Sequence, residues 1–137
     1  EGLQAGGEAR DAALERIRGW VAQLAFAKEG CRVVQLAVQV ADHAAAGELV
    51  GELRGHVQEA MASPHANYVL QALISGLPTA MSAFVVQELR GSGASAARHR
   101  FGCRVLCRLV EHVQGAEVQA LLGEVLEEAE DLCRHSF

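Results

Sequence analysis

Three groups of residues in this chain have the donors, acceptors and flat surfaces needed to bind a planar ligand. Each group consists of two adjacent residues and a third residue four positions after the first: Cys31, Arg32 and Gln35; Asn67, Tyr68 and Gln71; Cys103, Arg104 and Cys107. A primary amide carries both a hydrogen-bond donor and an acceptor, whereas guanidinium and phenol groups are planar and can stack. Residues at positions i, i+1 and i+4 lie on neighbouring parts of a helix surface. Each group can therefore present hydrogen-bonding groups and a flat face to one planar molecule.

The three groups are spaced by 36 residues, and much of the surrounding sequence repeats at the same interval without a gap. Three repeated columns hold arginine, glycine and branched aliphatic residues: Arg18, Arg54 and Arg90; Gly19, Gly55 and Gly91; Val38, Ile74 and Val110. A constant interval of this size is typical of stacked repeats rather than of one globular core. The sequence therefore predicts units at about 9–42, 43–78, 79–114 and, incompletely, 115–137, after a flexible N-terminal segment at 1–8.

The same interval indicates where a further unit would continue. Glu29, His65 and Phe101 each stand two positions before the first residue of a three-residue group. Phe137 occupies the next place in that column. We therefore expect the sequence to be an internal piece of a longer array.

Each unit is predicted to contain two helices, the second of which carries the three-residue group. At about 100° per residue, the apolar residues of each second helix fall on one stripe: Val33, Val34, Ala37 and Val38; Val69, Leu70, Leu73 and Ile74; Val105, Leu106, Leu109 and Val110. One unit cannot cover its own stripe, so the units must stack into an all-α solenoid. Two glycines at 91–93 predict a break in the first helix of the third unit, whereas residues 49–61 have helical spacing throughout.

Composition favours packed helices in an intracellular protein. Hydrophobic residues make up 50% of the chain and aromatic residues only 4%, and alanine and glycine are plentiful. No apolar run approaches the roughly 20 residues needed to span a bilayer, and no signal peptide is recognisable. The four cysteines do not form a secretory disulfide framework, because two of them occupy one repeat column. We therefore expect them to be reduced.

Positive and negative charges are segregated along the chain, so the net charge of −5 decides little about the partner. Four arginines and no acidic residue lie between positions 98 and 108. Six acidic residues and no basic residue lie between positions 117 and 131. The distribution of charge matters more here than the total. The glutamates at 124–130 are predicted to form a solvated helix face, with an acidic protein-docking surface as the alternative.

The segments Gly-Cys-Arg-Val-Val-Gln at 30–35 and Ala-Asn-Tyr-Val-Leu-Gln at 66–71 resemble the RNA-binding repeats of the Pumilio family. The resemblance extends over residues 9–137. It implies a right-handed α-helical solenoid that binds single-stranded RNA on its concave face, with one base for each repeat. In each repeat, two side chains contact the base edge and a third stacks on the base. The implied edge-contacting residues are Cys31, Gln35, Asn67, Gln71, Cys103 and Cys107, and the implied stacking residues are Arg32, Tyr68 and Arg104.

The resemblance also implies a base for each complete group. Cys31 and Gln35 correspond to the adenine-reading pattern, and Asn67 and Gln71 correspond to the uracil-reading pattern. Cys107 departs from the family, which has Gln or Glu at this place, and a thiol cannot make the paired contact of an amide. Because RNA runs antiparallel to the repeats in this family, the expected core is 5′-N-U-A-3′.

What the family implies about biology is post-transcriptional regulation through messenger RNA 3′ untranslated regions, usually repression, in the cytoplasm. Regulatory proteins are possible partners for the outer face of the solenoid. We expect no enzyme activity, because the chain has no phosphate-binding loop and no fixed pairing of histidines and carboxylates. No cofactor and no membrane partner are expected. Cys103 and Cys107 lie one helical turn apart with His99 and His112 nearby, but structural zinc sites usually have tighter spacings. The repeat column already explains Cys103, so no metal is expected.

Two alternatives share the helical architecture. An armadillo or HEAT-type solenoid would bind protein, but such an array has no reason to repeat these groups in one register. A divergent nucleolar Pumilio-like protein would bind RNA mainly through charge, which the arginine cluster and Cys107 leave open. The latter would show strong salt dependence and little sequence preference.

Overall fold

The computed structural model describes residues 2–136, which form twelve helices and no strand. In chain order they are α1 (Gly2–Ala5), α2 (Gly7–Ile17), α3 (Val21–Phe26), α4 (Gly30–Val40), α5 (His43–Gly51), α6 (Val57–Ala62), α7 (Ala66–Gly76), α8 (Thr79–Leu89), α9 (Gly93–Arg98), α10 (Gly102–His112), α11 (Ala116–Glu127) and α12 (Ala129–Leu132). Among these residues, no helix is both long and apolar enough to cross a membrane. Phe137, on which the expectation of a longer array rests, lies outside the described residues.

The helices repeat in sets of three: α2 to α4, α5 to α7 and α8 to α10, followed by α11 and α12. The predicted all-α solenoid is confirmed, but the prediction of two helices in each unit is wrong. The first predicted helix is divided at the glycine column, where Gly19, Gly55 and Gly91 have φ values of 77°, 82° and 78°. Glycine adopts positive φ readily, and a right-handed helix cannot continue through a residue with positive φ. The break predicted at 91–93 is therefore confirmed, and the same break also interrupts 49–61.

A glutamate from the next unit holds each of these corners. Both oxygens of Glu88 accept backbone hydrogen bonds, from Gly55 N at 2.7 Å and Val57 N at 3.2 Å. Equivalent pairs of bonds join Glu52 to Gly19 N (2.7 Å) and Val21 N (3.0 Å), and Glu124 to Gly91 N (2.8 Å) and Gly93 N (2.9 Å). The first N–H groups of a helix have no partner within the helix and favour a negative charge. We call Glu52, Glu88 and Glu124 the corner clamps.

The clamp at Glu124 corrects one prediction about the acidic segment. Glu124 is not part of a solvated face, because its carboxylate is bound to the corner of the preceding unit. The hydrogen bonds from Gly91 and Gly93, aided by the charge of Arg90, hold the pKa of Glu124 below its ordinary value despite the opposing effect of burial. The neighbouring Glu127 and Glu128 are exposed, as predicted.

The third helices of the units, α4, α7 and α10, pack side by side and form the core with their apolar stripes. We call them the reading helices. Val34, Val69 and Val105 are completely buried between them and the shorter helices. At the two ends of the described stack, Val33 and Val110 remain 39% and 51% exposed. Each stripe is therefore covered by its neighbours in the stack, as expected for a solenoid.

The N-terminal segment, for which the sequence predicts flexibility over residues 1–8, contains α1 and the start of α2. The α1 helix packs on α2 and α4, and Leu3 is buried there. Its mobility stays a prediction.

Candidate nucleic-acid interface

All nine residues of the three predicted groups lie in equivalent places on the reading helices. They are the second, third and sixth residues of α4, α7 and α10, each of which has eleven residues. Because the three helices pack side by side, the structure brings the groups together in one line. We call these nine residues the reading row.

A cleft of about 580 Å³ opens between the first and second groups of the row. It is lined by Lys28, Glu29, Cys31, Arg32, Gln35, His65 and Tyr68. Arg32 and Tyr68 belong to adjacent units, so a flat ligand in this cleft would lie between a guanidinium and a phenol ring. Both side chains are exposed, Tyr68 by 44%. The sequence did not indicate Lys28 and His65, which line the cleft from the loops before the helices.

The inner part of this cleft has a fixed amide beside a small thiol. Gln35 Nε2 donates a hydrogen bond to the backbone carbonyl of Cys31 at 3.1 Å, which orients the amide. Cys31 is only 5% exposed, and its Sγ donates to the carbonyl of Lys28 at 3.2 Å. Gln35 is half-buried. The edge of a planar ligand would therefore meet Gln35 first, with Cys31 below it.

The second group contains a relay of amides. Gln71 Nε2 donates to Asn67 Oδ1 at 2.9 Å, and Asn67 Nδ2 donates to the carbonyl of Ser63 at 2.7 Å. Asn67 is completely buried, so only Gln71 of this pair reaches the surface. In this arrangement Asn67 positions Gln71, and a direct contact between Asn67 and a ligand requires its side chain to move. The predicted edge contact of Asn67 stays a prediction.

A capping residue that the sequence analysis missed anchors this relay. Ser63 Oγ accepts hydrogen bonds from His65 N at 3.2 Å and Ala66 N at 3.1 Å, at the start of α7. In the third unit His99 occupies the same repeat column, and its Nδ1 accepts from Phe101 N at 3.2 Å and Gly102 N at 3.3 Å. Serine shortly before a helix is a common capping signal, so Ser63 could have been found from the sequence.

The third group offers thiols in place of amides. Cys103 Sγ donates to the carbonyl of Arg100 at 3.6 Å, while Cys107 is exposed. Arg104 is exposed and aligned with Arg32 and Tyr68. The cysteines are free, and within residues 2–136 no set of three or more His, Cys, Asp and Glu side chains is placed to hold a metal ion.

The predicted arginine cluster is divided among several contacts. Arg98 is paired with Glu128, and Arg108 Nη1 lies 2.7 Å from Glu111 Oε2. The guanidinium of Arg100 lies over the ring of Phe101, with its Cζ 4.8 Å from the ring centroid. Glu128, in the acidic segment, therefore neutralises one arginine of the cluster. The separation of the two segments along the sequence did not predict this contact.

Comparison with known proteins identifies the architecture. A family model described as the Pumilio-family RNA binding repeat matches residues 21–53, 56–90 and 96–126. The structure of the Puf3 RNA binding domain bound to the Cox17 RNA 3′ UTR recognition sequence site A superposes with a TM-score of 0.93 at 26% identity, covering 98% of this chain and 40% of that chain.

Curated relatives agree with this match. Pumilio domain-containing protein 6 of Caenorhabditis elegans is 29% identical over 109 residues, which cover 77% of this chain and 22% of the relative. Pumilio homolog 24 of Arabidopsis thaliana is 26% identical over 113 residues, which cover 82% of this chain and 18% of the relative. The chain thus spans about a fifth of the length of these relatives. It belongs to the Pumilio family of helical repeat proteins.

Proposed function

We propose that this chain binds single-stranded RNA along the reading row and distinguishes bases at its first two units. The observation that carries the proposal is the cleft between Arg32 and Tyr68, with Gln35 and Cys31 at its inner end. A base can stack between two such side chains, which contributes about 1–3 kcal/mol for each base. The Puf3 domain with the same architecture is itself bound to RNA.

The first unit suits adenine. The amide of Gln35 can donate to the N1 acceptor of adenine and accept from its N6 amino group. Cys31 is small, so it leaves room for the larger purine ring. The bond from Gln35 Nε2 to the Cys31 carbonyl limits the orientations of this amide before RNA binds. An amide held in one orientation loses less entropy on binding.

The second unit suits uracil, whose edge displays an acceptor, a donor and a second acceptor. Gln71 is the accessible member of the relay, and its remaining N–H and its carbonyl can meet adjacent groups on that edge. Tyr68 supplies the stacking surface. With the antiparallel polarity of the family, the first two units read 5′-U-A-3′, and the third unit stacks a base of any kind on Arg104.

The wider role follows from the family. We propose that the whole protein binds 3′ untranslated regions of messenger RNA in the cytoplasm and regulates their use. The armadillo or HEAT-type alternative does not account for a cleft with planar side chains on both sides at the row of predicted edge-contacting residues. The nucleolar alternative is separated by competition between RNA sequences at several salt concentrations, because binding through charge alone is insensitive to sequence.

The decisive experiment changes the base preference of the second unit. The double variant Asn67→Ser, Gln71→Glu should shift its preference from uracil to guanine, because a carboxylate accepts from the N1 and N2 donors of guanine. Fluorescence anisotropy with RNAs that differ only at the uracil position measures the shift. Gln87→Glu, the same amide-to-acid change on α8, should leave the preference unaltered. An unchanged preference in the double variant would show that this row does not contact bases.

A further inference from the structure

A second groove opens beside the reading row, about one helical turn closer to the C-terminal ends of the reading helices. It has a volume of about 390 Å³. Its lining comes from all three reading helices: Gln35, Gln39, Tyr68, Gln71, Ala72, Ser75, Gly76 and Arg108. Because Gln35, Tyr68 and Gln71 belong to the row, RNA bound along the row would pass this groove.

The lining is rich in hydrogen-bond donors and has one charge. Gln39 and Ser75 are exposed and offer an amide and a hydroxyl, and Arg108 offers a guanidinium. No carboxylate lines the groove among the described residues. A guanidinium surrounded by neutral donors is suited to phosphate oxygens, which accept several hydrogen bonds at once.

The charge in this groove belongs to the third unit alone. Leu36 and Ala72 occupy the repeat column of Arg108 in the first and second units. Arg108 also directly follows Cys107, the residue that lacks the amide of the other two groups. The unit with the weakest means of reading a base thus carries the extra cation.

We propose that this groove is a phosphate site for RNA bound along the reading row, with Arg108 as the principal contact and Ser75 and Gln39 as further donors. This inference rests on the proposed function. In this arrangement the third unit adds affinity that does not depend on sequence, while the first two units supply the base preference. Base contacts specify a sequence, and phosphate contacts fix the register.

Glu111 limits how strongly Arg108 can bind a phosphate. Its Oε2 lies 2.7 Å from Arg108 Nη1, and both side chains are about half exposed, at 40% and 49%. An exposed ion pair of this kind contributes little to stability, so a phosphate can displace the carboxylate from the guanidinium. Glu111 therefore lowers the affinity for RNA by competing with the phosphate.

Salt dependence tests the proposal directly. For single-stranded nucleic acid, the slope of log Kobs against log salt concentration changes by about 0.7 for each neutralised phosphate. Arg108→Gln should make the slope shallower by about this amount and weaken all RNA sequences by the same factor. Glu111→Gln should strengthen binding, but should have no effect in the presence of Arg108→Gln. Arg10→Gln, which removes an arginine paired with Asp11 on α2, is the matched control and should leave the slope unchanged.

The outcomes separate this proposal from the proposed function. An unaltered slope in Arg108→Gln would overturn the phosphate site, and so would a change in preference for one base. If the unmodified chain shows no preference for the U-A core, the proposed base reading fails, while the slope still decides the role of Arg108. Inorganic phosphate at constant ionic strength should not compete with RNA. Competition that disappears in Arg108→Gln would mean that the groove binds free phosphate instead.

Discussion

The second and third units have the same framework and different surfaces. Their reading helices, α7 and α10, have the same length and register, and their corners are closed by equivalent clamps from Glu88 and Glu124. On the reading row, however, the second unit has an amide relay, whereas the third unit has a half-buried thiol and an exposed thiol. The glutamates that close the corners are therefore separate from the reading row. The exposed residues of the row can differ chemically between units while the corners stay the same.

The largest effect is expected on the free energy of unfolding when a corner clamp is removed. Glu88→Ala removes the acceptor of two backbone N–H groups, one of which, on Val57, is part-buried. Hydrogen bonds to a charged group contribute about 1.5–3 kcal/mol each, but the bond from Gly55 is exposed and water can replace its acceptor. We therefore expect the free energy of unfolding to fall by about 2–3 kcal/mol, less than the sum of two full contributions. Urea denaturation followed by circular dichroism measures this change.

Two controls sharpen the comparison. Glu59→Ala, at an exposed carboxylate on α6, should change the free energy of unfolding by about 0.5 kcal/mol or less. Arg32→Ala, at an exposed side chain on the reading row, should also change the free energy of unfolding by about 0.5 kcal/mol or less. If Arg32→Ala destabilised the chain as much as Glu88→Ala, the exposed part of the reading row would belong to the framework and the separation would not hold.

Much of this architecture could be predicted from the sequence because each feature occurs three times. The apolar stripes on α4, α7 and α10 recur in one register. A pattern that arose by chance in one unit would not recur in the other two. The same repetition predicted that the nine residues of the row align, since residues at equivalent positions of packed helices must do so. A periodic sequence specifies periodic packing.

The corners could not be predicted from helical periodicity alone. A positive φ at Gly55 interrupts a segment whose apolar spacing is helical on both sides. The clamp that closes this corner comes from Glu88, 33 residues later, so it is invisible within one helix. The glycine column and the column of Glu52, Glu88 and Glu124 were nevertheless both visible in the sequence, and together they indicate a turn with its acceptor.

The burial of Asn67 is a different kind of omission. A helical wheel places Asn67 on the same face as Gln71, but it does not give the depth of a side chain below the surface. In the structure Asn67 is completely buried, and its amide donates a hydrogen bond to the carbonyl of Ser63. The three-dimensional structure is therefore needed to identify which residue of such a pair is accessible to a ligand.

An intermediate effect is expected when the third unit is made to resemble the first. Cys107→Gln introduces an amide that can bond to the carbonyl of Cys103, as Gln35 bonds to that of Cys31. We expect a preference for adenine at the third unit of about 1–3 kcal/mol, the discrimination given by one paired contact. Anisotropy with four RNAs that differ at this position measures it. Cys133→Gln, at another exposed cysteine, should have no effect, and equal affinities for all four bases in Cys107→Gln would show that this unit does not engage a base edge.

The smallest effect is expected in the pH dependence of stability that Glu124, the clamp at the third corner, contributes. Because the pKa of Glu124 is lowered in the folded chain, its ionised form stabilises the fold above the ordinary carboxyl pKa, and this contribution is lost as the pH falls through the lowered pKa. Glu124→Gln should therefore be less stable than the unmodified chain at neutral pH, and the difference should shrink in acid. Amide hydrogen exchange of Gly91 and Gly93 reports this corner, and their protection should fall over the same pH range while that of Leu73 in the core does not. Protection of Gly91 and Gly93 that stayed constant through this range would mean that the two hydrogen bonds do not depend on the charge of Glu124, and that the corner is held by its glycine geometry alone.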